Sequence, residues 1–233
     1  MIQLHYYPSN ASMIPHIVLE ELGEPFELVL VDRALQAHKS AQYLKLNPNG
    51  LIPTLVDAGA GKSDLVLYES AAICLHLSDT HPKARLAPAL GSPERAHFYK
   101  WLVWLSSTMQ PSLISYFYPE RYVAPANKTG ALEVKAQSQA RIGAYLGQLD
   151  DELDRVKQRS KAADDLPALD DWFMGAHYTV LDAYVFTLCR WTRNFSDLPA
   201  RSYPHLGPYL QRMLARPAVQ RVLATEKLVP PLI

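Results

Sequence analysis

The sequence predicts two architectures in series, an α/β domain of element order βαβαββα over residues 1–80 and an all-α domain over residues 93–233. Three observations carry this. Strand-like and helix-like patterns alternate as far as about residue 80. The stretch His81-Pro82-Lys83-Ala84-Arg85-Leu86-Ala87-Pro88-Ala89-Leu90-Gly91-Ser92 is then aperiodic and punctuated by proline, which marks 81–92 as a linker. Beyond it the periodicity is helical throughout.

Taken in order, Ile2 to Tyr6 is a short strand, and Pro15 near a helix start with Gly23 just past its end brackets the first helix. Phe26 to Val31 is the second strand. His38 to Leu46 is helical in pattern and must stop at Asn47-Pro48, because the residue before proline is pushed out of the α region. Thr54 to Val56 and Leu65 to Tyr68 pair as a hairpin across a turn rich in Gly, Ala, Lys and Asp. The third helix runs to about Asp79. Ser92-Pro93 opens an apolar helix to about Met109, and a long helix spans about Leu132 to Lys157. Thr179-x-x-Asp182 has capping-box spacing and nucleates a buried helix.

Of 233 residues, 48% are apolar, enough for well-formed cores, and Lys plus Arg balances Asp plus Glu at 23 each. Such a balance favours neither nucleic acid nor an anionic membrane as partner. Cys74 and Cys189 fall in separate helical patterns, which argues against a disulfide framework and fits a reducing, cytoplasmic setting. Met-Ile-Gln-Leu-His-Tyr-Tyr-Pro has no basic leader or long apolar run, so neither export nor membrane insertion is expected.

The most chemically specific stretch is Asn47-Pro48-Asn49-Gly50-Leu51-Ile52-Pro53-Thr54-Leu55-Val56. Pro53 opens an otherwise buried strand, a position proline tolerates because it has no N–H to give to a ladder. If the bond is cis, Ile52 turns its N–H and C=O toward an extended peptide-like ligand. Further on, Glu69-Ser70 marks the change from apolar strand to alanine-rich helix, with Ser70 as N-cap and free backbone donors facing an anion. A carboxylate for an ammonium beside a helix N-terminus for a carboxylate makes an amino-acid-binding corner.

With these motifs the chain resembles the cytosolic glutathione transferases, in which a thioredoxin-like α/β domain binds glutathione and an all-α domain follows. The likeness continues through Trp172-Phe173-Met174-Gly175 and Thr179-Val180-Leu181-Asp182-Ala183-Tyr184-Val185-Phe186, and Pro15-His16-Ile17-Val18-Leu19-Glu20-Glu21 is similar to bacterial members of the beta-like type. The resemblance implies attack of the glutathione thiolate on a small apolar electrophile. A free thiol is mostly protonated at neutral pH, so donors must stabilise the thiolate. It places them in Ser9-Asn10-Ala11-Ser12 at the start of the first helix, Ser12 first, then Asn10 and Ser9, with Tyr6 in the position used by tyrosine-type members. By the same resemblance Ile52, before Pro53, binds the peptide backbone, Glu69 meets the γ-glutamyl amine and Ser70 its carboxylate. Lys39 or His38 meets the glycyl carboxylate. Met13, Trp104, Gln110, Tyr116 and Tyr118 are the electrophile-pocket candidates, and a homodimer would bury the surplus apolar surface around Tyr99, Val103 and Trp104.

Two positions depart from the beta-like pattern: Ala11 stands where those members carry a cysteine, and Gln110 where they carry a histidine. Thiol–disulfide chemistry through a protein cysteine is therefore not expected. Glutathione-dependent isomerase or dehalogenase chemistry and a non-catalytic binding protein are the alternatives. Gly59-Ala60-Gly61-Lys62-Ser63 lacks the leading glycine of a phosphate loop, Cys74, His76 and His81 lack metal-site spacing, and no metal is expected. Asp150-Asp151-Glu152 and Asp170-Asp171 read as solvated helix ends.

Overall fold

The computed structural model describes residues 1–59, 63–162 and 172–233, with residues 160–162 as backbone only. Residues 60–62 of the expected hairpin turn and the Asp170-Asp171 pair lie outside the described residues. Two compact units are present: 1–87 with 214–230, and 88–213 with 231–233.

The first unit is built on a four-stranded mixed sheet of order β2-β1-β3-β4. Strand β1 (Ile2–Tyr6) pairs in parallel with β2 (Phe26–Leu30) and antiparallel with β3 (Thr54–Asp57), which pairs antiparallel with β4 (Leu65–Tyr68). Ile2 and Leu4 alternate into the core, as period-2 patterning requires. Between β1 and β2 runs α1 (Met13–Leu22), whose Met13, Ile14, Ile17 and Val18 are fully buried; it ends at Gly23 in the left-handed conformation with its N–H on the Leu19 carbonyl.

The helical pattern expected over 38–46 resolves into two shorter pieces. A 3-10 turn at Ala37–Lys39 is followed by a one-turn helix, α2 (Ala41–Leu44), because Ser40 is extended and its hydroxyl caps the Tyr43 N–H. Helix α3 (Ser70–Thr80) is capped by Glu69, so Ser70 is the first helical residue rather than the expected N-cap.

The second unit is helical. Helix α4 (Pro93–Trp104) begins as expected, with Ser92 capping the Arg95 N–H and Pro93 in the first turn. It does not end at Met109: a π-helical turn at Leu105–Met109 leads directly into α5 (Gln110–Phe117). Pro111 accounts for this. It has no N–H for the Ser107 carbonyl and its ring crowds the preceding turn, so the helix widens there, with the Gln110 N–H reaching back to Leu105.

Helix α6 (Lys128–Ala162) extends beyond both expected ends, and α7 (Val180–Trp191) is buried along its length. Within α6 the structure corrects one reading, since Asp150 is buried and accepts from the backbone N–H groups of His205 (2.8 Å) and Leu206 (2.7 Å). It thereby caps α8 (Leu206–Ala215) in place of being solvated. Glu152 is also largely buried and pairs with Arg155 and Arg159.

The chain then supplies α9 (Pro217–Thr225) to the first unit, a return that the expected division into 1–80 and 93–233 does not include. Helix α9 is riveted to α1: Arg216 makes a bidentate pair with Glu21 (2.6 and 2.7 Å), and Arg221 binds the Glu20 carboxylate and carbonyl. Among the described residues no helix is long and apolar enough to cross a membrane.

Candidate functional site

Strand register brings the start of β3 to the ends of β1 and β4. His5 pairs with Thr54 and Thr54 with Tyr68. Thr54, the first residue of β3, therefore lies opposite the end of β1 and the last residue of β4, so that Ile52-Pro53 enters and Glu69-Ser70 leaves the sheet at the same end. Side chains agree, as Tyr7 packs against the cluster of Val31, Tyr43 and Ile52. The Ile52–Pro53 bond is cis, and both ladders begin at Thr54, so the N–H and C=O of Ile52 lie beyond them.

The loop before Ile52 is fixed by residues that sequence reasoning passed over. The Leu51 carbonyl accepts from the Tyr43 hydroxyl (2.7 Å) and the Asn47 amide (2.9 Å), and Tyr43 also meets the Thr54 hydroxyl at 3.0 Å. Burial raises the Tyr43 phenol above its ordinary pKa, keeping it a donor, while the Thr54 hydrogen bond pulls the other way. The Asn-Pro-Asn-Gly turn was the available signal, because Asn side chains fold back on nearby backbone; here Asn47 Oδ1 accepts from Asn49 N–H at 3.1 Å.

Gly50 completes the turn at φ +59°, and a Cβ there would lie 2.8 Å from both the His38 carbonyl oxygen and Lys39 Nζ. Gly50→Ala is expected to cost about 1–2 kcal/mol from the left-handed backbone alone, read as a lower urea midpoint.

At the start of α3, the backbone N–H groups of Ser70, Ala71 and Ala72 precede the first intrahelical bond, which runs from Ile73 N–H to the Glu69 carbonyl (3.0 Å). No acidic residue lies in that first turn. Glu69 is exposed and sits at φ +73°, a strained conformation for a residue with a side chain, of the kind found where ligands are clamped. His38 and Lys39 lie in the 3-10 turn, with Lys39 Nζ 3.4 Å from the Asn49 carbonyl and therefore beside the same loop.

The four thiol-donor candidates differ in what they have left to give. Ser12 is fully buried at the start of α1, and its hydroxyl donates to the Tyr7 carbonyl (3.1 Å) while accepting from the Tyr7 N–H (3.2 Å). Its one proton is thus committed to tying the end of β1 to α1, which corrects the ranking that put it first. Asn10 is half-buried, and its Oδ1 accepts from the Ala11 N–H, which leaves the amide NH2 as the donating half.

Ser9 is held at φ +59° with its N–H on Glu226 (2.8 Å). Tyr6 stands edge-on to His16 at 6.0 Å, its phenol raised in pKa by burial and then by the Glu226 charge. Glu226 was not identified from the sequence, because 217 residues separate it from Ser9.

The electrophile-pocket candidates fall in different places. Met13 is wholly enclosed in the core of the first unit and presents no wall to a ligand, which corrects that assignment. In the second unit Trp104 packs edge-on to Trp101 and Tyr145 (5.3 Å each), Tyr116 lies on Phe195 at 4.3 Å, and the Arg121 guanidinium covers the Tyr118 ring at 3.9 Å. Gln110 Oε1 accepts from the Tyr184 hydroxyl at 2.6 Å. Cys74 and Cys189 are fully buried, and desolvation drives both thiols far above the usual range, so neither serves as a nucleophile. Among the described residues no group of three or more His, Cys, Asp or Glu is placed to hold a metal.

A mixed β2-β1-β3-β4 sheet with a proline-opened third strand, followed by a helical unit, is the architecture of a thioredoxin-like transferase. Comparison with known proteins gives the same result. Residues 8–80 match the family model for the glutathione S-transferase N-terminal domain. The chain is 31% identical to glutathione S-transferase GST-4.5 of Xanthomonas campestris, over 97% of this chain and all of that one. It is 29% identical to glutathione S-transferase GstA of Escherichia coli O157:H7, with the same coverage. Among solved structures, a sphingomonad glutathione S-transferase complexed with glutathione is 30% identical with a TM-score of 0.74, over 97% of this chain and 100% of that one. The chain belongs to the cytosolic glutathione S-transferase family.

Proposed function

We propose that the protein binds glutathione in the corner formed by Ile52, Pro53, Glu69 and Ser70 and transfers it to a small apolar electrophile. The observation that supports this is the cis Ile52–Pro53 bond, which opens β3 with Ile52 outside both ladders, at the end of the sheet where the exposed Glu69 and the acid-free start of α3 follow β4. Glu69 accepts from the γ-glutamyl ammonium, and the Ser70 N–H donates to the γ-glutamyl carboxylate at the positive end of α3. Ile52 pairs with the peptide backbone, and Lys39 or His38 meets the glycyl carboxylate. Asn10 replaces Ser12 as the first-ranked donor to the thiolate, with Ser9 and Tyr6 behind it. Each donor to the anion lowers the thiol pKa and raises the nucleophile fraction at neutral pH.

Trp104, Gln110, Tyr116 and Tyr118 carry the apolar electrophile. Tyr99 (40% exposed) and Val103 (59% exposed) on α4 form the surface that a second copy covers in a homodimer. The buried, inert thiols suit a cytoplasmic enzyme that disposes of reactive compounds.

Ultraviolet absorbance of the thiolate, followed against pH, tests the assignment. Asn10→Ala is expected to raise the thiol pKa of bound glutathione by about one unit, equivalent to about 1.4 kcal/mol. Ser12→Ala is expected to leave that pKa alone and lower stability by about 1–2 kcal/mol, since it strands the Tyr7 N–H. A reversed pattern returns Ser12 to the role. Turnover of a panel of aryl halides, epoxides, enals and peroxides identifies the electrophile, and retention on immobilised glutathione without any turnover favours a binding protein instead.

A further inference from the structure

The thiol-donor loop needs an anchor, because Ser9 holds a left-handed backbone, φ +59°, without being glycine. Such a residue relaxes unless its surroundings fix it. One contact that fixes it comes from the far end of the chain. Glu226, the residue that closes α9, is itself buried; one carboxylate oxygen accepts the Ser9 N–H at 2.8 Å, and the other meets His16 Nδ1 on α1 at 2.9 Å. A carboxylate accepts only, so His16 carries its proton on Nδ1. The His16 ring is itself gripped edge-on by Tyr6 at 6.0 Å and Phe26 at 5.8 Å. One carboxylate therefore ties α1, α9 and the loop bearing Ser9 and Asn10 into a single buried unit.

We propose that Glu226 is a positioning residue for catalysis, holding the Ser9–Asn10 loop in the conformation that presents its donors to the glutathione sulfur. The inference rests on the reading that this loop faces the sulfur. Glu226 does not touch glutathione; it acts by fixing Ser9. Its other contact, with His16 on α1, keeps the carboxylate beside the loop.

Three full-length variants test this: Glu226→Ala, which releases Ser9; Glu226→Gln, which keeps an oxygen for the Ser9 N–H but gives His16 an amide donor; and Arg221→Ala, which loosens α9 at an exposed pair remote from the loop. Bound-glutathione thiol pKa by ultraviolet absorbance, affinity for S-methylglutathione, and urea midpoint are measured for each.

In Glu226→Ala the thiol pKa is expected to rise by about one unit and kcat/KM to fall about tenfold at neutral pH, with S-methylglutathione affinity unchanged within about twofold. Glu226→Gln is expected to lose stability yet keep the thiol pKa near that of the wild type, because its amide oxygen still accepts the Ser9 N–H, and it leaves a result that can overturn the inference even where the alanine variant does not fold. Arg221→Ala is expected to leave the thiol pKa unchanged. A wild-type thiol pKa in Glu226→Ala, a raised one in Glu226→Gln, or equal shifts in Glu226→Ala and Arg221→Ala at equal loss of stability would overturn the inference, leaving Glu226 a strap for α9. Absence of a lowered thiol pKa in the wild-type protein would instead remove the thiolate reading on which it rests.

Discussion

Asp182→Ala is expected to lower the unfolding free energy by about 3–5 kcal/mol, the largest stability loss among the substitutions considered. The Asp182 carboxyl is fully buried at the start of α7 and accepts from four donors: the Phe173 N–H (2.8 Å), the Thr179 N–H (2.8 Å), the Thr179 hydroxyl (3.3 Å) and the Tyr209 hydroxyl (2.8 Å). Thr179 in turn caps the Leu181 N–H, so the two residues form a complete capping box. Alanine removes every acceptor while the donors stay buried, and leaves a void besides. Urea denaturation reads the loss as a lower midpoint, and a change below about 1 kcal/mol would show that the second unit does not depend on this cluster.

The same carboxyl gives stability a defined pH slope. Burial pushes its pKa up to about 6, against four hydrogen bonds that pull it down. A carboxyl that binds its proton more tightly folded than unfolded contributes stability fully present below about pH 4, and that contribution fades as pH rises through about 6. The stability gap between wild type and Asp182→Ala is therefore expected to widen as pH falls from 7 to 5. A gap that narrows over this window would mean that the four donors outweigh burial.

Local signals in the sequence carried the parts of the fold that depend on local chemistry. Proline at residue 53, the strand-to-helix change at Glu69-Ser70 and the Thr179/Asp182 spacing each impose a backbone conformation within a few residues, and each occurs where the pattern placed it. Pro111 was equally legible and went unused: a proline inside a helical run demands a kink or a widened turn, and the π turn at Leu105–Met109 is that turn.

What remained hidden depends on partners far away in sequence. Asp150-Asp151-Glu152 looks solvated until α8 brings the His205 and Leu206 N–H groups to Asp150. Ser12 looks like a free hydroxyl at a helix start until the end of β1 is seen to occupy it. Helix α9 returns to α1 through acidic Glu20 and Glu21 meeting Arg216 and Arg221, a complementarity that no single segment reveals. Neighbouring sequence decides backbone conformation, whereas side-chain availability is decided by whatever the fold packs against it, and catalytic ranking depends on the second.

Glu69 is the position where a ligand should feel a substitution most. Its carboxylate is exposed, yet its backbone is held at φ +73°, between the last residue of β4 and the free N–H groups of α3. A side chain kept there at a cost in backbone strain does nothing for the helix it precedes, since it makes no capping hydrogen bond. Its proposed partner is the γ-glutamyl ammonium, and a hydrogen bond to a charged group contributes about 1.5–3 kcal/mol. Glu69→Gln, which keeps size and backbone but removes the charge, is therefore expected to weaken glutathione binding by about 10-fold to 100-fold with little change in stability. A glutathione analogue lacking that amine isolates the contact, because it should bind wild type and Glu69→Gln alike if the amine is what Glu69 holds. Calorimetry with both ligands on both proteins closes the cycle. Equal affinity of the two proteins for glutathione itself would move the ammonium site elsewhere and leave the strain at Glu69 without a ligand to explain it.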